Sequence, residues 1–201
     1  MSNLKLVAFV EAIRASNLLS AVEANTLSRA SEQPNADAEA LARDLVRRGL
    51  LTAYQVRQFW KGRGKDLLLN QYIVLDKLGE GGMGEVFRAK HIRMGRDVAL
   101  KIIRKERLSN PEAVKRFRRE IRAAAALSHE NVVLAYDADQ SGEVNFFAME
   151  YVDGEPLSRK LAKQPQPPKE AAALLAIIAQ AMQYAHDNNI LHRDIKPKNL
   201  A

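Results

Sequence analysis

His192-Arg193-Asp194-Ile195-Lys196-Pro197-Lys198-Asn199 lies near the end of the 201-residue sequence, and its reading decides the fold. Six of these eight residues carry a charge or a strong hydrogen-bonding side chain, and Pro197 prevents the stretch from continuing as a helix. It follows an apolar run from Glu170 to His186, which predicts a long helix, and that run itself follows a break at Pro165, Pro167 and Pro168. A polar loop is therefore expected at the end of an apolar helix.

Upstream the pattern alternates instead. From Gln71, Tyr72, Val74 and Leu78 lead into Gly79-Glu80-Gly81-Gly82-Met83-Gly84, and Val86-Phe87-Arg88-Ala89 resumes the extended run. A turn at Met94-Gly95-Arg96-Asp97 precedes a third strand, Val98 to Ile103. Glycines in this spacing serve a dinucleotide when they open a helix. Here a strand follows Gly84, so the glycines form a hairpin whose backbone amides can close over triphosphate oxygens; a structural glycine-rich turn is the alternative on this stretch alone. Lys101 ends the Val-Ala-Leu-Lys run beneath that hairpin, where an ammonium neutralises phosphate charge, and an inward lysine needs a counter-charge. Glu120 can supply it. It sits on a helix predicted to start at Asn110, with Pro111 first and Glu112 in the opening turn, and to run to about Leu127. Two further strands are expected around Val132–Tyr136 and Asn145–Met149.

With these motifs in this order, the sequence over residues 72–201 resembles the protein kinase family, specifically the bacterial serine/threonine kinases related to the eukaryotic ones. The resemblance implies an α+β fold with an antiparallel amino-terminal lobe, one regulatory helix and the start of a helical carboxy-terminal lobe. It implies ATP and Mg²⁺ as cofactors and Ser/Thr hydroxyls of proteins as acceptors. Asp194 would receive or orient the hydroxyl proton, Asn199 would hold Mg²⁺, and Lys196, two residues after the aspartate, would lie beside the transferring phosphate in the serine/threonine pattern. The adenine would rest at Met149-Glu150-Tyr151-Val152, with Glu150 and Val152 contacting it through the backbone, Met149 as gatekeeper, and Leu78, Val86 and Ala99 as walls. Gly79, Gly81, Gly82 and Gly84 would cover the phosphates and Lys101, paired with Glu120, would hold them. The sequence ends two residues after Asn199, so the family's Asp-Phe-Gly segment, activation loop and Ala-Pro-Glu segment are not among these residues. The expectation is an amino-terminal kinase fragment, weakly active or inactive alone; the alternative is a non-catalytic ATP-binding or protein-interaction module.

Composition narrows the partners. The net charge of +7 is local, since residues 87–122 carry thirteen basic against four acidic side chains. Few aromatics are interleaved there and no groove-reading motif accompanies them, so nucleic acid is not expected as a partner. There is no cysteine, no signal peptide and no run long enough to span a bilayer, which makes the cytoplasm the default location. His91, His129 and His186 lack metal-ligand spacing and are expected to be structural.

Residues 1–70 form the remaining part, predicted as a small helical domain with a linker before the domain at 71–201. Leu4, Val7, Val10 and Ile13 are spaced for one helix face, and a second helix is expected from Asp37 to Arg48, stopped by Gly49. Thr52 is the expected N-cap of a third, through Tyr54, Phe59 and Trp60, whose aromatics are read as core. Lys61-Gly62-Arg63-Gly64-Lys65 reads as the linker. The stretch Gly49 to Gln55 resembles leader regions that precede some bacterial kinase domains, which implies a regulatory role or a protein partner.

Overall fold

The computed structural model describes residues 2–31, 37–82, 84–108, 110–162 and 164–200. The chain divides into two compact units, Met1–Val98 and Ala99–Ala201.

The first unit begins with α1 (Ser2–Ser16), α2 (Ala21–Ser31), α3 (Ala38–Arg47) and α4 (Ala53–Trp60). In α1 the buried stripe is Leu6, Phe9, Val10 and Ile13, while Val7 is 49% exposed. Of the expected face, Val10 and Ile13 are buried and Val7 is corrected to the exposed side, while the Leu4 side chain lies outside the described residues. Steps of three drift around a 3.6-residue helix, whereas spacing of i, i+3, i+4 and i+7 keeps to one side. The sequence reading missed α2, a polar helix with little periodicity. Its signal is Ser20-x-x-Glu23: the Glu23 carboxylate accepts the Ser20 N–H at 2.8 Å and Ser20 Oγ accepts the Glu23 N–H at 3.3 Å, a capping box. Those same hydrogen bonds hold the Glu23 carboxyl below its ordinary pKa.

The other caps are where the sequence puts them. Asp37 accepts the Ala40 N–H at 3.0 Å at the start of α3, and Gly49 takes a left-handed φ of 70° at its end. Thr52 caps α4. Phe9 stacks on Trp60 at 4.4 Å and meets Phe59 edge-on at 6.1 Å, so the aromatics do build the core, although Trp60 keeps 43% of its surface exposed. The stretch read as a linker is folded against that core. Gly64–Leu67 is a 3₁₀ turn, Leu67 is buried, and a Cβ at Gly64 would stand 2.5 Å from the Phe59 ring. Glycine is needed there for close approach, a reason that composition alone does not separate from flexibility.

After that turn come β1 (Leu68–Leu69), β2 (Tyr72–Gly81), β3 (Gly84–His91) and the opening of β4 (Asp97–Ile103). β1 pairs with β2 and β2 with β3, both antiparallel. The β2–β3 register skips Leu75 and Leu78, so β2 carries two bulges before its glycines. His91 packs edge-on to Tyr72 at 5.0 Å and its Nδ1 accepts the Met94 N–H at 3.1 Å, a structural task in the turn.

In the second unit the strand order is β4-β6-β5, with β5 at Ala135–Ser141 and β6 at Val144–Glu150 paired antiparallel. Both strand pairings and the accompanying helices match the expected α+β class. The strand expected at Val132 starts three residues later, because His129 and Val132 form an isolated bridge around a turn whose Asn131 N–H donates to His129 Nδ1 at 3.0 Å. An apolar Val-Val-Leu run is strand-like in composition wherever the turn falls. Asn110 caps α5 (Pro111–Ala125), its Oδ1 accepting the Ala113 N–H at 2.8 Å. α6 (Leu157–Leu161) and the 20-residue α7 (Pro168–Asp187) complete the helices. Among the described residues no helix is long and apolar enough to cross a membrane.

Candidate active site

The polar loop follows α7. The Ile190 N–H turns back to Ala185 O at 2.9 Å, Asn189 adopts a left-handed φ of 60°, and the chain leaves the helix. Arg193 also has a positive φ, 62°. A left-handed arginine costs about 1–3 kcal/mol and such residues cluster at functional sites. A 3₁₀ turn at Pro197–Asn199, closed by the Asn199 N–H on Lys196 O at 2.8 Å, then folds the chain back toward Asp194. Leu200 O accepts the Leu157 N–H at 2.8 Å, which ties the end of the loop to α6.

This backbone path brings three side chains together. Lys196 Nζ lies 2.8 Å from each Asp194 carboxylate oxygen. Asn199 Nδ2 donates to Asp194 O at 2.9 Å and to Asp194 Oδ2 at 3.1 Å. The Asp194 N–H in turn donates to His192 Nδ1 at 3.3 Å. The Lys196 ammonium, and secondarily the Asn199 amide, hold the Asp194 carboxyl below the usual carboxylate range. The group is solvent-exposed, so the geometry rather than the pair's strength is the point.

With its folded value below its unfolded one, Asp194 contributes stability that is complete above the ordinary carboxylate pKa and is lost as pH falls through the lowered value. Lys196→Ala should move the Asp194 midpoint back up, as read by a carboxyl-detected NMR titration. An unmoved midpoint would rule out Lys196 as the cause.

Lys101 is half-buried on β4, two residues after the buried Ala99 on the same side of the strand. Glu120 lies on α5, but its side chain is outside the described residues, and so is Met83 of the glycine stretch. At the end of β6 the Glu150 N–H donates to Leu134 O at 2.9 Å, and its carboxylate accepts the Leu134 N–H at 3.1 Å. Just beyond, Val152 O accepts the Gly154 N–H at 3.0 Å. Met149 is half-buried, and Val152 is exposed.

Within the first unit, the hairpin pairs Gly81 with Gly84, Glu80 with Glu85 and Gly79 with Val86. A Cβ at Gly79 or Gly81 would meet nothing within 4 Å, and neither has a positive φ. Neither packing nor backbone strain accounts for glycine at these two positions. Leu78 is 47% exposed and Val86 half-buried. The sequence reading missed Lys77, whose Nζ lies 2.6 Å from both Glu80 and Glu85. Two carboxylates directly opposite in a ladder repel each other, and a shared ammonium offsets this. The two hydrogen bonds raise the Lys77 pKa. Spacing of three to Glu80 was a visible signal; the Glu85 contact needed the register.

Comparison with known proteins decides the family. The protein kinase domain profile matches residues 72–201. The chain belongs to the protein kinase family. It is 41% identical over 138 residues to serine/threonine-protein kinase PknB of Mycobacterium leprae, covering 66% of this chain and 22% of that protein. To serine/threonine-protein kinase PrkC of Bacillus subtilis it is 40% identical over 131 residues, 65% of this chain and 20% of that one. The chain therefore spans about a fifth of the length of these curated relatives. Among solved structures, the PknI kinase domain of Mycobacterium tuberculosis superposes with a TM-score of 0.59 at 32% identity, covering 66% of this chain and 54% of that domain. These are serine/threonine kinases, so phosphoryl transfer from ATP is the family's chemistry, and the kinase fold expected from the sequence is the one observed.

Proposed function

We propose that this protein transfers the γ-phosphate of ATP to Ser or Thr hydroxyls of proteins, with residues 71–201 as the kinase part and 1–70 as a helical segment open to a protein partner. The observation that carries the reading is the convergence of Lys196 and Asn199 on the Asp194 carboxylate in one short loop.

Phosphoryl transfer proceeds through a loose transition state, so positioning and charge neutralisation outweigh covalent chemistry. Asp194 orients the acceptor hydroxyl and takes its proton as the new oxygen–phosphorus bond forms and the bond from the γ-phosphorus to the β,γ-bridging oxygen breaks, ADP leaving with that electron pair. A low carboxyl pKa is compatible with that role, because a loose transition state calls for little base strength. Lys196 has three N–H donors. Two hydrogen bonds go to Asp194, and the third proton can meet a phosphate oxygen. Lys101, paired with Glu120, would hold the other phosphates, and Gly79, Gly81, Gly82 and Gly84 would cover them. With the Glu150 N–H and Val152 O already engaged, the groups offered to an adenine are the Glu150 carbonyl and the Val152 N–H. Met149, Leu78, Val86 and Ala99 would surround the base.

The residues also suit a divalent metal. Mg²⁺ takes oxygen ligands, and the Asn199 amide directs its nitrogen to Asp194 while its oxygen is the metal-type donor. Bound there, Mg²⁺ would neutralise phosphate charge.

The test is titration of a fluorescent ATP analogue with Mg²⁺ into the 201-residue chain and into its Lys101→Ala variant. Loss of a hydrogen bond to a charged group costs about 1.5–3 kcal/mol, so affinity should fall roughly 10- to 100-fold. Absence of binding, or binding indifferent to Lys101, would sink the reading.

A further inference from the structure

Two carbonyls on the outer edge of β2 find their partners in the helical segment. β1 covers only Tyr72 and Ile73 of that strand. At the next two residues α4 takes over: Gln55 Nε2 donates to Val74 O at 2.8 Å and the Thr52 hydroxyl donates to Leu75 O at 2.5 Å. Leu75 is the residue the β2–β3 register skips, so the contact falls on the first bulge. A bulge leaves its extra residue outside the ladder and bends the strand, and the part-buried Leu75 carbonyl there takes its donor from α4.

The two donors are themselves locked. Gln55 Oε1 accepts the Thr52 N–H at 2.8 Å, and Thr52 Oγ1 accepts the Gln55 N–H at 3.1 Å. One capping box thus starts α4 and bonds β2 with the same two side chains. Gln55 is 3% exposed, a buried amide whose nitrogen is directed at the strand and whose oxygen caps its own helix. From the same helix turn, the Tyr54 ring lies 6.0 Å from that of Phe87, which faces Lys77 across the β2–β3 ladder. Burial first, and then the Glu85 charge, raise the Tyr54 pKa, consistent with a ring seated at the base of the hairpin. α4 therefore touches both strands that carry the glycines, four residues before Gly79.

We propose that Thr52 and Gln55 are positioning residues for the glycine hairpin: by holding the first bulge of β2 they set where Gly79 and Gly81 are carried, which makes the helical segment part of the nucleotide-binding machinery. This rests on the reading of the hairpin as the phosphate-covering loop. The bend at Leu75 directs the strand beyond it, and the bend persists only while its carbonyls are satisfied. Lys77, bridging Glu80 and Glu85, closes the hairpin further along and leaves the bulge untouched.

The experiment uses the 201-residue chain with Thr52→Val and Gln55→Leu, singly and together, Thr52→Ser as the conservative variant, and Ile13→Val as a control that loosens the buried α1 core. Amide hydrogen exchange is read without nucleotide, and Mg²⁺·ATP affinity is measured separately. The double variant should exchange about tenfold faster at residues 76–81 and 84–88, with residues 135–150 unchanged, and bind ATP about five- to tenfold more weakly. Thr52→Ser should match the original chain, and Ile13→Val should leave hairpin exchange alone at a comparable loss of melting temperature. If the double variant does not fold, Thr52→Val alone decides at a smaller amplitude. Hairpin exchange unchanged, or moved no more than by Ile13→Val, overturns the proposal, as does faster exchange with ATP affinity intact. An original chain that binds no ATP while its hairpin still responds to the variants refutes the nucleotide reading and retains the positioning of the hairpin.

Discussion

Incubated with radiolabelled ATP, Mg²⁺ and a Ser/Thr protein acceptor, the 201-residue chain alone should transfer no more phosphate than its Lys101→Ala variant. These residues hold Asn199, the proposed Mg²⁺ ligand, and Asp194 with Lys196 beside it, but they contain no Asp-Phe-Gly segment. In kinases that aspartate and the catalytic-loop asparagine together hold the metal ions that neutralise the developing charge. One without the other loses most of that electrostatic stabilisation, and removal of a single preorganised charge-stabilising group already costs about 10²- to 10³-fold in kcat. The acceptor-binding surface is a further requirement, because a hydroxyl not held in line sacrifices the advantage of proximity. Joining the 201 residues to the Asp-Phe-Gly-bearing half of a bacterial kinase domain should restore transfer by about 10³-fold or more. Robust Lys101-dependent transfer by the short chain would overturn this expectation and the need for the second metal ligand with it.

In that restored chain, Asp194→Asn is expected to lower kcat by roughly 10²- to 10⁴-fold, the usual worth of a positioned proton acceptor. Asparagine has nearly the same shape and still accepts a hydrogen bond through one oxygen, so the loop can persist. It carries no charge, however, and so it frees Lys196 and cannot take the hydroxyl proton. Affinity for Mg²⁺·ATP should change little, since the carboxylate faces the acceptor rather than the nucleotide in this reading. The signature is therefore a fall in kcat with nucleotide binding preserved, measured by steady-state transfer beside the fluorescent titration. A comparable loss of ATP affinity would assign Asp194 to the nucleotide, and unchanged kcat would remove it from catalysis.

Much of the candidate site was legible because its residues are close in sequence. Asp194, Lys196 and Asn199 span six positions, so a single loop can gather them, and in the structure Lys196 and Asn199 both hydrogen-bond the Asp194 carboxylate. The glycines of the hairpin were legible for a similar reason, as strand alternation on both sides leaves a tight turn little freedom. What escaped was long-range. Thr52 was recognised as a helix cap, yet its hydroxyl also bonds Leu75, 23 residues away. Nothing in the spacing marks Leu75 as a bulge, since an extra residue in a ladder is visible only when the partner strand is aligned against it. The face of α1 is a different case, because its signal is local: Val7 is as apolar as Val10, but Val10 shares the i, i+3, i+4, i+7 stripe of Leu6, Phe9 and Ile13 and Val7 does not.

By itself the sequence determined the family, the class of fold, the helix caps at Asp37, Thr52 and Asn110, and the order of motifs from glycine hairpin to polar loop. Each is written in local spacing, where backbone geometry restricts the outcome to a few conformations. Only the tertiary structure decided that Lys77 joins two opposed glutamates, that a stretch reading as a linker is folded under Phe59, and that α4 supplies the hydrogen bonds for a bulge in β2. Those contacts depend on register and on burial of polar groups, whose free energy is set by partners distant in the chain and therefore cannot be read from one segment at a time.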